Sequence, residues 1–185
     1  MRKLSQPAVG VLDFAAHRCM YGYPGKSEVT VVVKDKQWAG ASGTAAQALA
    51  PTAASAIQPL WLIDLVRGIT EAQAEGEEAC DGHMCRRFSA HADLNRAADE
   101  VPYQMALPQG IDQIAKLTRI PVEVWMDTEG LIRRIRHARR QPHRARPDTS
   151  TLELREFGVQ PPSDWSRLEA FGGLQAKRVT RGGQV

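Results

Sequence analysis

Hydrophobic positions change their spacing several times along the chain, and each change marks an element. Val9, Val11, Phe14 and Met20 predict one or two strands, closed by the turn signal Tyr23-Pro24-Gly25-Lys26. The β-branched run Val29, Val31, Val32 and Val33 predicts a buried strand over 28–34, and Asp35-Lys36 turns the chain into a short strand ending near Trp38 and Ala39. Positions 40–58 are rich in Ala, Ser, Thr, Gly and Pro, carry no clear period and are expected to form a partly helical connector. The string Pro59-Leu60-Trp61-Leu62-Ile63-Asp64-Leu65-Val66-Arg67-Gly68 is apolar nearly all round. It predicts a short helix buried on more than one side, with Pro59 in its first turn and Gly68 just past its end.

An extended pattern resumes at 69–75, Glu75-Gly76-Glu77-Glu78 reads as a charged turn, and 85–90 predicts a strand around Phe88. Asp93 is a suitable N-cap for a second helix, whose apolar face is Leu94, Ala97, Ala98 and Val101, with Pro102 ending it. A third, weaker helix is expected over 111–118. The firmest element is a hairpin over 120–136. Ile120, Val122, Val124 and Met126 share one face of its first strand, Asp127-Thr128-Glu129-Gly130 makes the turn, and Leu131-Ile132-Arg133-Arg134-Ile135-Arg136 returns. Positions 141–148 predict a loop, 151–158 a last strand with Leu152 and Leu154 inward, and 165–171 a short helix. The order of strands, helix, strands, helices, strands, joined by turns, predicts an α+β domain with an antiparallel sheet and its helices on one side.

Composition changes this picture little. At 185 residues and 43% apolar content the chain suits a single domain with a real core. The expected extent is 1–171, with 172–185 a flexible tail. The net charge of +3 conceals an asymmetry. Seven of the 24 basic residues lie between Arg133 and Arg146 with no acid among them, which leaves 17 against 21 acids elsewhere. The protein is therefore mildly acidic with one basic segment. Arg133, Arg134, Arg136, Arg139 and Arg140 are candidates for a contact surface. That segment lacks aromatics to stack on bases, so no nucleic-acid partner is expected, and peripheral contact with a membrane surface is the better functional reading. The plain alternative is a strand whose alternate arginines form a solvated face. No apolar run has membrane-spanning length, and Met1-Arg2-Lys3 is not followed by the apolar stretch of an export signal, so the chain as written reads as cytoplasmic.

Catalytic chemistry is not legible. There is no nucleophile elbow, phosphate loop or dinucleotide fingerprint, and the histidines form no constellation. The protein is expected to be no enzyme and to need no cofactor. Cys80-Asp81-Gly82-His83-Met84-Cys85 is the most suggestive stretch. Cys80, His83 and Cys85 fall one ligand short of a structural zinc site, and no metal is expected there. A Cys80–Cys85 disulfide and two ordinary thiols both remain open.

Several segments together carry a resemblance. Pro121-Val122-Glu123-Val124-Trp125-Met126-Asp127 with Gly130-Leu131-Ile132-Arg133-Arg134 resembles a signature of actinobacterial envelope lipoproteins of the LppX/LprG type. Val11-Leu12-Asp13-Phe14, Leu60 to Gly68, Cys85 to Leu94 and Leu152 to Gly158 resemble other segments of that family in the right order. The resemblance spans roughly 9–158. It implies a curved antiparallel half-barrel of the LolA type with helices on the concave face. It also implies an acylated lipid or other hydrophobic ligand, held non-enzymatically by a carrier or chaperone of the cell envelope. The cavity wall would then be drawn from Val31, Val33, Leu62, Val66, Leu94, Val101, Val122, Val124, Met126, Leu152 and Leu154, all of which suit a plain core equally well. The family's compartment would supply the oxidising conditions a Cys80–Cys85 disulfide needs. Its members carry an export signal and a lipidated Cys, so either the true start is expected to lie further upstream or this copy is truncated; in-frame upstream coding sequence with a lipobox would support this. The runner-up is a cytoplasmic interaction module with a closed core and the arginines as its contact surface. Oligomeric state is not legible.

Overall fold

Pro59, Gly68 and Asp93 mark helix boundaries where the sequence places them. A computed structural model of the chain describes residues 7–26, 28–33, 36–41, 52–53, 59–100, 119–139 and 148–158. These fall into two compact units, one over the described residues up to 53 and the other over those from 59 to 158. Each has its own five-stranded antiparallel sheet. The fold is α+β, as the spacing predicts. The expected third helix over 111–118, the helix over 165–171 and the tail lie outside the described residues.

The first unit is a meander of β1 (Val9–Asp13), β2 (Arg18–Gly22), β3 (Glu28–Val33), β4 (Lys36–Ala41) and β5 (Thr52–Ala53), paired in chain order. Its apolar cluster is Met20, Val29 and Val31, with Val11 packed against it. Asp13 ties the β1–β2 turn by accepting from the Ala16 amide at 3.0 Å and the Arg18 guanidinium at 2.9 Å.

The second unit holds both helices among the described residues. Its elements are α1 (Pro59–Arg67), β6 (Ile69–Cys80), β7 (His83–Asp93), α2 (Leu94–Asp99), β8 (Arg119–Asp127), β9 (Ile132–Arg139) and β10 (Asp148–Glu153), with sheet order β10-β9-β8-β7-β6. Asp93 caps α2 as expected, accepting from the amides of Asn95 at 2.8 Å and Arg96 at 3.2 Å. α1 meets α2 at Gly68. A Cβ there would stand 2.3 Å from the Asp93 carbonyl oxygen and 2.9 Å from the Ala97 Cβ, so only glycine lets the two segments approach this closely.

Two expectations are corrected. The last strand is Asp148–Glu153 rather than 151–158, and beyond it the chain turns, with φ of 49° at Glu156 and 78° at Gly158. Glu75-Gly76-Glu77-Glu78 is no turn but the middle of the twelve-residue β6. A bulge between Ala74 and Gly76 takes up the glycine's φ of 127° without ending the strand. The chain reverses instead at Asp81-Gly82, whose φ values of 49° and 83° suit a two-residue hairpin turn.

Candidate functional site

The period of two along β7, β8 and β9 gives the second sheet one apolar face. Ala90 and Ala92 on β7, Ile120, Val122 and Val124 on β8, and Ile135 on β9 line it. The apolar side of α1 (Trp61, Leu62, Leu65) and of α2 (Leu94, Ala97) closes over those positions in one buried cluster, with Val66, Ile69, Ile132 and Leu152 packed against it. Of the expected lining residues, Leu62, Leu94, Val122 and Val124 are brought together, and Val66 and Leu152 join at the margin. Leu154 is buried where its amide donates to the Arg133 carbonyl at 2.8 Å, and Met126 is half-buried opposite Ile132. Val31 packs in the first unit's own cluster. Val101 and the side chain of Val33 are outside the described residues.

Two polar groups interrupt this layer. His137 is buried on β9, and its Nδ1 lies 3.1 Å from the Pro121 carbonyl oxygen. A carbonyl only accepts, so Nδ1 carries the proton. The His137 ring meets the Trp61 ring edge-on, with centroids 5.5 Å apart and planes at 67°. Trp61 is 4% exposed, and its Nε1–H, a donor only, has no hydrogen-bond partner among the described residues. Leaving such a donor unpaired costs about 1–3 kcal/mol. Alternation from Ile135 to His137 is the signal for the histidine's buried position; nothing in the sequence marks the Trp61 nitrogen.

The opposite face is organised around Trp125, which is 1% exposed. The guanidinium groups of Arg136, Arg134 and Arg87 lie 5.2, 5.3 and 5.6 Å from its ring centroid. The register causes this, because Arg134 and Arg87 sit opposite Trp125 on the two flanking strands and Arg136 lies one pair along. Each guanidinium also has a carboxylate. Glu123 accepts from both Arg87 and Arg136. Arg134 donates to Glu78 at 3.2 Å and to Glu153 at 3.1 Å. The Trp125 Nε1–H donates to Glu78 at 3.1 Å. The Arg136 hydrogen bond, working against burial and joined by Arg87, holds the Glu123 carboxyl below its ordinary value.

The expected arginine contact surface is revised accordingly. Arg133 is buried, 9% exposed, with its Nε 2.6 Å from Asp127 Oδ2 and its guanidinium 4.8 Å from the Phe157 ring centroid. The physical reason is a bulge: Trp125 pairs with Arg134 but Met126 with Ile132, so Arg133 is the extra residue and turns in toward Asp127. Arg134 and Arg136 are partly exposed yet bound to carboxylates. Arg140 and the side chain of Arg139 fall outside the described residues.

Cys80 and Cys85 are free thiols, buried against Trp125 and hydrogen-bonded to each other. Burial, and then the Cys85 contact, push the Cys80 thiol up to about 11, which makes it a poor nucleophile and metal ligand at neutral pH. Among the described residues no group of three or more His, Cys, Asp and Glu could hold a metal ion. Native protein treated with a thiol-alkylating reagent is expected to leave Cys80 and Cys85 unlabelled. In denaturant without reductant both should label; labelling that requires reductant would show a disulfide instead.

No family model matches the chain, and no curated protein matches it. Among solved structures it is similar to the Mycobacterium tuberculosis lipoprotein LppX. The TM-score is 0.40 and the identity 13%, over 70% of this chain and 67% of that one.

Proposed function

We propose that the second unit binds a hydrophobic ligand, of acyl-lipid character, between its two helices and its sheet, and acts without catalysis as a carrier or chaperone of the cell envelope. The observation that supports this most is where the family-like segments fall. Leu60 to Gly68 forms α1 and its end, Cys85 to Leu94 runs along β7 into α2, and Pro121 to Arg134 is the β8–β9 hairpin. All three contribute to the helix-covered apolar layer, which holds Trp61, Leu62, Leu94, Val122 and Val124. Sequestration there would be driven by removal of acyl surface from water, at about 25 cal/mol per Å². The competing reading, a basic contact surface, is less favoured because Arg133, Arg134 and Arg136 already hold carboxylates of their own chain.

Native mass spectrometry tests the proposal. Protein purified from cells, or incubated with vesicles of acylated phospholipid, is expected to carry a non-covalent adduct whose mass series steps by two-carbon units. A bare apo mass after both treatments would sink it.

A further inference from the structure

We infer that Trp61 is the polar anchor of this ligand site, its indole N–H donating to the carbonyl oxygen of an acyl ester. The inference rests on the ligand-binding reading above and names the chemistry that the site recognises. Buried indole donors are paired in the great majority of proteins, and Trp61 Nε1 is buried without a partner among the described residues. The side chains clustered with it, Leu62, Leu65, Val122 and Ile135 among them, are aliphatic and cannot accept. Of the His137 ring that meets it edge-on, Nδ1 is committed to the Pro121 carbonyl, and Nε2, the nitrogen able to accept, makes no hydrogen bond with the Trp61 N–H.

Position adds to the argument. His137 stands opposite Val122 on β8 and opposite Ser150 on the edge strand β10. Ser150 lies two residues from Leu152, which packs against the layer, so the period of two puts both on the same face. Trp61, His137 and Ser150 thus place polar groups over β9 and β10, while Ile120, Val122, Val124, Ala90 and Ala92 line the helix-covered face of β8 and β7 with apolar side chains. That asymmetry suits an amphipathic molecule with its acyl chain over β7–β8 and its carbonyl over β9. An uncharged ester loses less on leaving water than a carboxylate does, and the donor offered is itself neutral.

The test uses the full chain and three probes of equal chain length: methyl palmitate, palmitic acid and hexadecane. The Trp61 indole N–H resonance, assigned by sequential connectivity in labelled protein, is expected to move downfield with methyl palmitate, less with palmitic acid and not with hexadecane. Trp61→Phe should weaken methyl palmitate about three- to tenfold more than it weakens hexadecane, the worth of one neutral hydrogen bond. An indole signal that moves equally with hexadecane, or stays still while the ester binds, would overturn the inference and leave the ligand-binding reading standing. Equal weakening of ester and alkane by Trp61→Phe would reduce Trp61 to packing. Failure of all three probes to bind the native protein would overturn both.

Discussion

Trp125→Ala is expected to destabilise the protein by about 3–5 kcal/mol, the range for deleting a large aromatic from a packed site. The indole has the Cys80 and Cys85 thiols against it, three guanidinium groups around it and Glu78 on its nitrogen. Removing it opens a cavity and also strips the cover from the two thiols. The loss should therefore appear twice. Denaturant unfolding would report the free energy, and alkylation of Cys80 and Cys85 in native buffer should accelerate about tenfold or more as local opening becomes easier. Trp125→Phe keeps a ring for the guanidinium groups but forfeits the bond to Glu78 and part of the packing, so a smaller loss of about 1–3 kcal/mol is expected. A change below 1 kcal/mol in Trp125→Ala, with unaltered labelling, would show that the arginine–glutamate ladder holds this face without its aromatic centre.

Asp127→Asn is expected to lower the thermal midpoint by ~10 °C, because it leaves the Arg133 guanidinium buried without its counter-charge. Asparagine can still accept from the amides of Glu129 and Leu131, both 2.9 Å from Asp127 Oδ1, so the turn itself should survive. Replacing both partners, as Asp127→Asn with Arg133→Met, should recover part of the loss, since an apolar chain of similar length needs no counter-charge there. The pH dependence is specific. Burial alone would raise the Asp127 carboxyl, but the Leu131 amide, the Arg133 guanidinium and the Glu129 amide outweigh it and hold the group below its ordinary value. A carboxyl depressed in the folded state adds stability that is complete above its unfolded value, near 4, and fades as pH falls through the lower folded one. The gap in thermal midpoint between native protein and Asp127→Asn should thus be constant from neutral pH down to about 5 and shrink below 4. A gap independent of pH would mean that the charge on Asp127 contributes nothing.

Local signals carried the elements they govern. Pro59 and Gly68 bracket α1, Asp93 caps α2, and Asp127 with Gly130 closes the β8–β9 turn. Each signal acts within a few residues, through a backbone angle or a single side-chain hydrogen bond, so sequence spacing alone exposes it. Alternation in β8 likewise separated Val122 and Val124 from Glu123 and Trp125 before any partner strand was known. That hairpin, the firmest element in the sequence, is also the one from which both faces of the second unit are built.

Register and proximity decided the rest. Gly76 looks like a turn residue, and only pairing of Ala74 with Phe88 and Gly76 with Arg87 shows that the strand continues through a bulge. Arg133 belongs by composition to a basic surface. A one-residue slip against β8 turns it in onto Asp127, whose carboxylate supplies the counter-charge a buried guanidinium requires. Arg134 and Arg136 have Glu78, Glu123 and Glu153 as partners from three other strands, which charge counting along the chain cannot foresee. The amino-acid sequence by itself determined the antiparallel α+β character, the helix caps and the hairpin, since these depend on neighbours in the chain. Tertiary structure decided which arginines are available to a partner and how the Trp61 donor is surrounded, since both depend on groups the chain brings together only on folding.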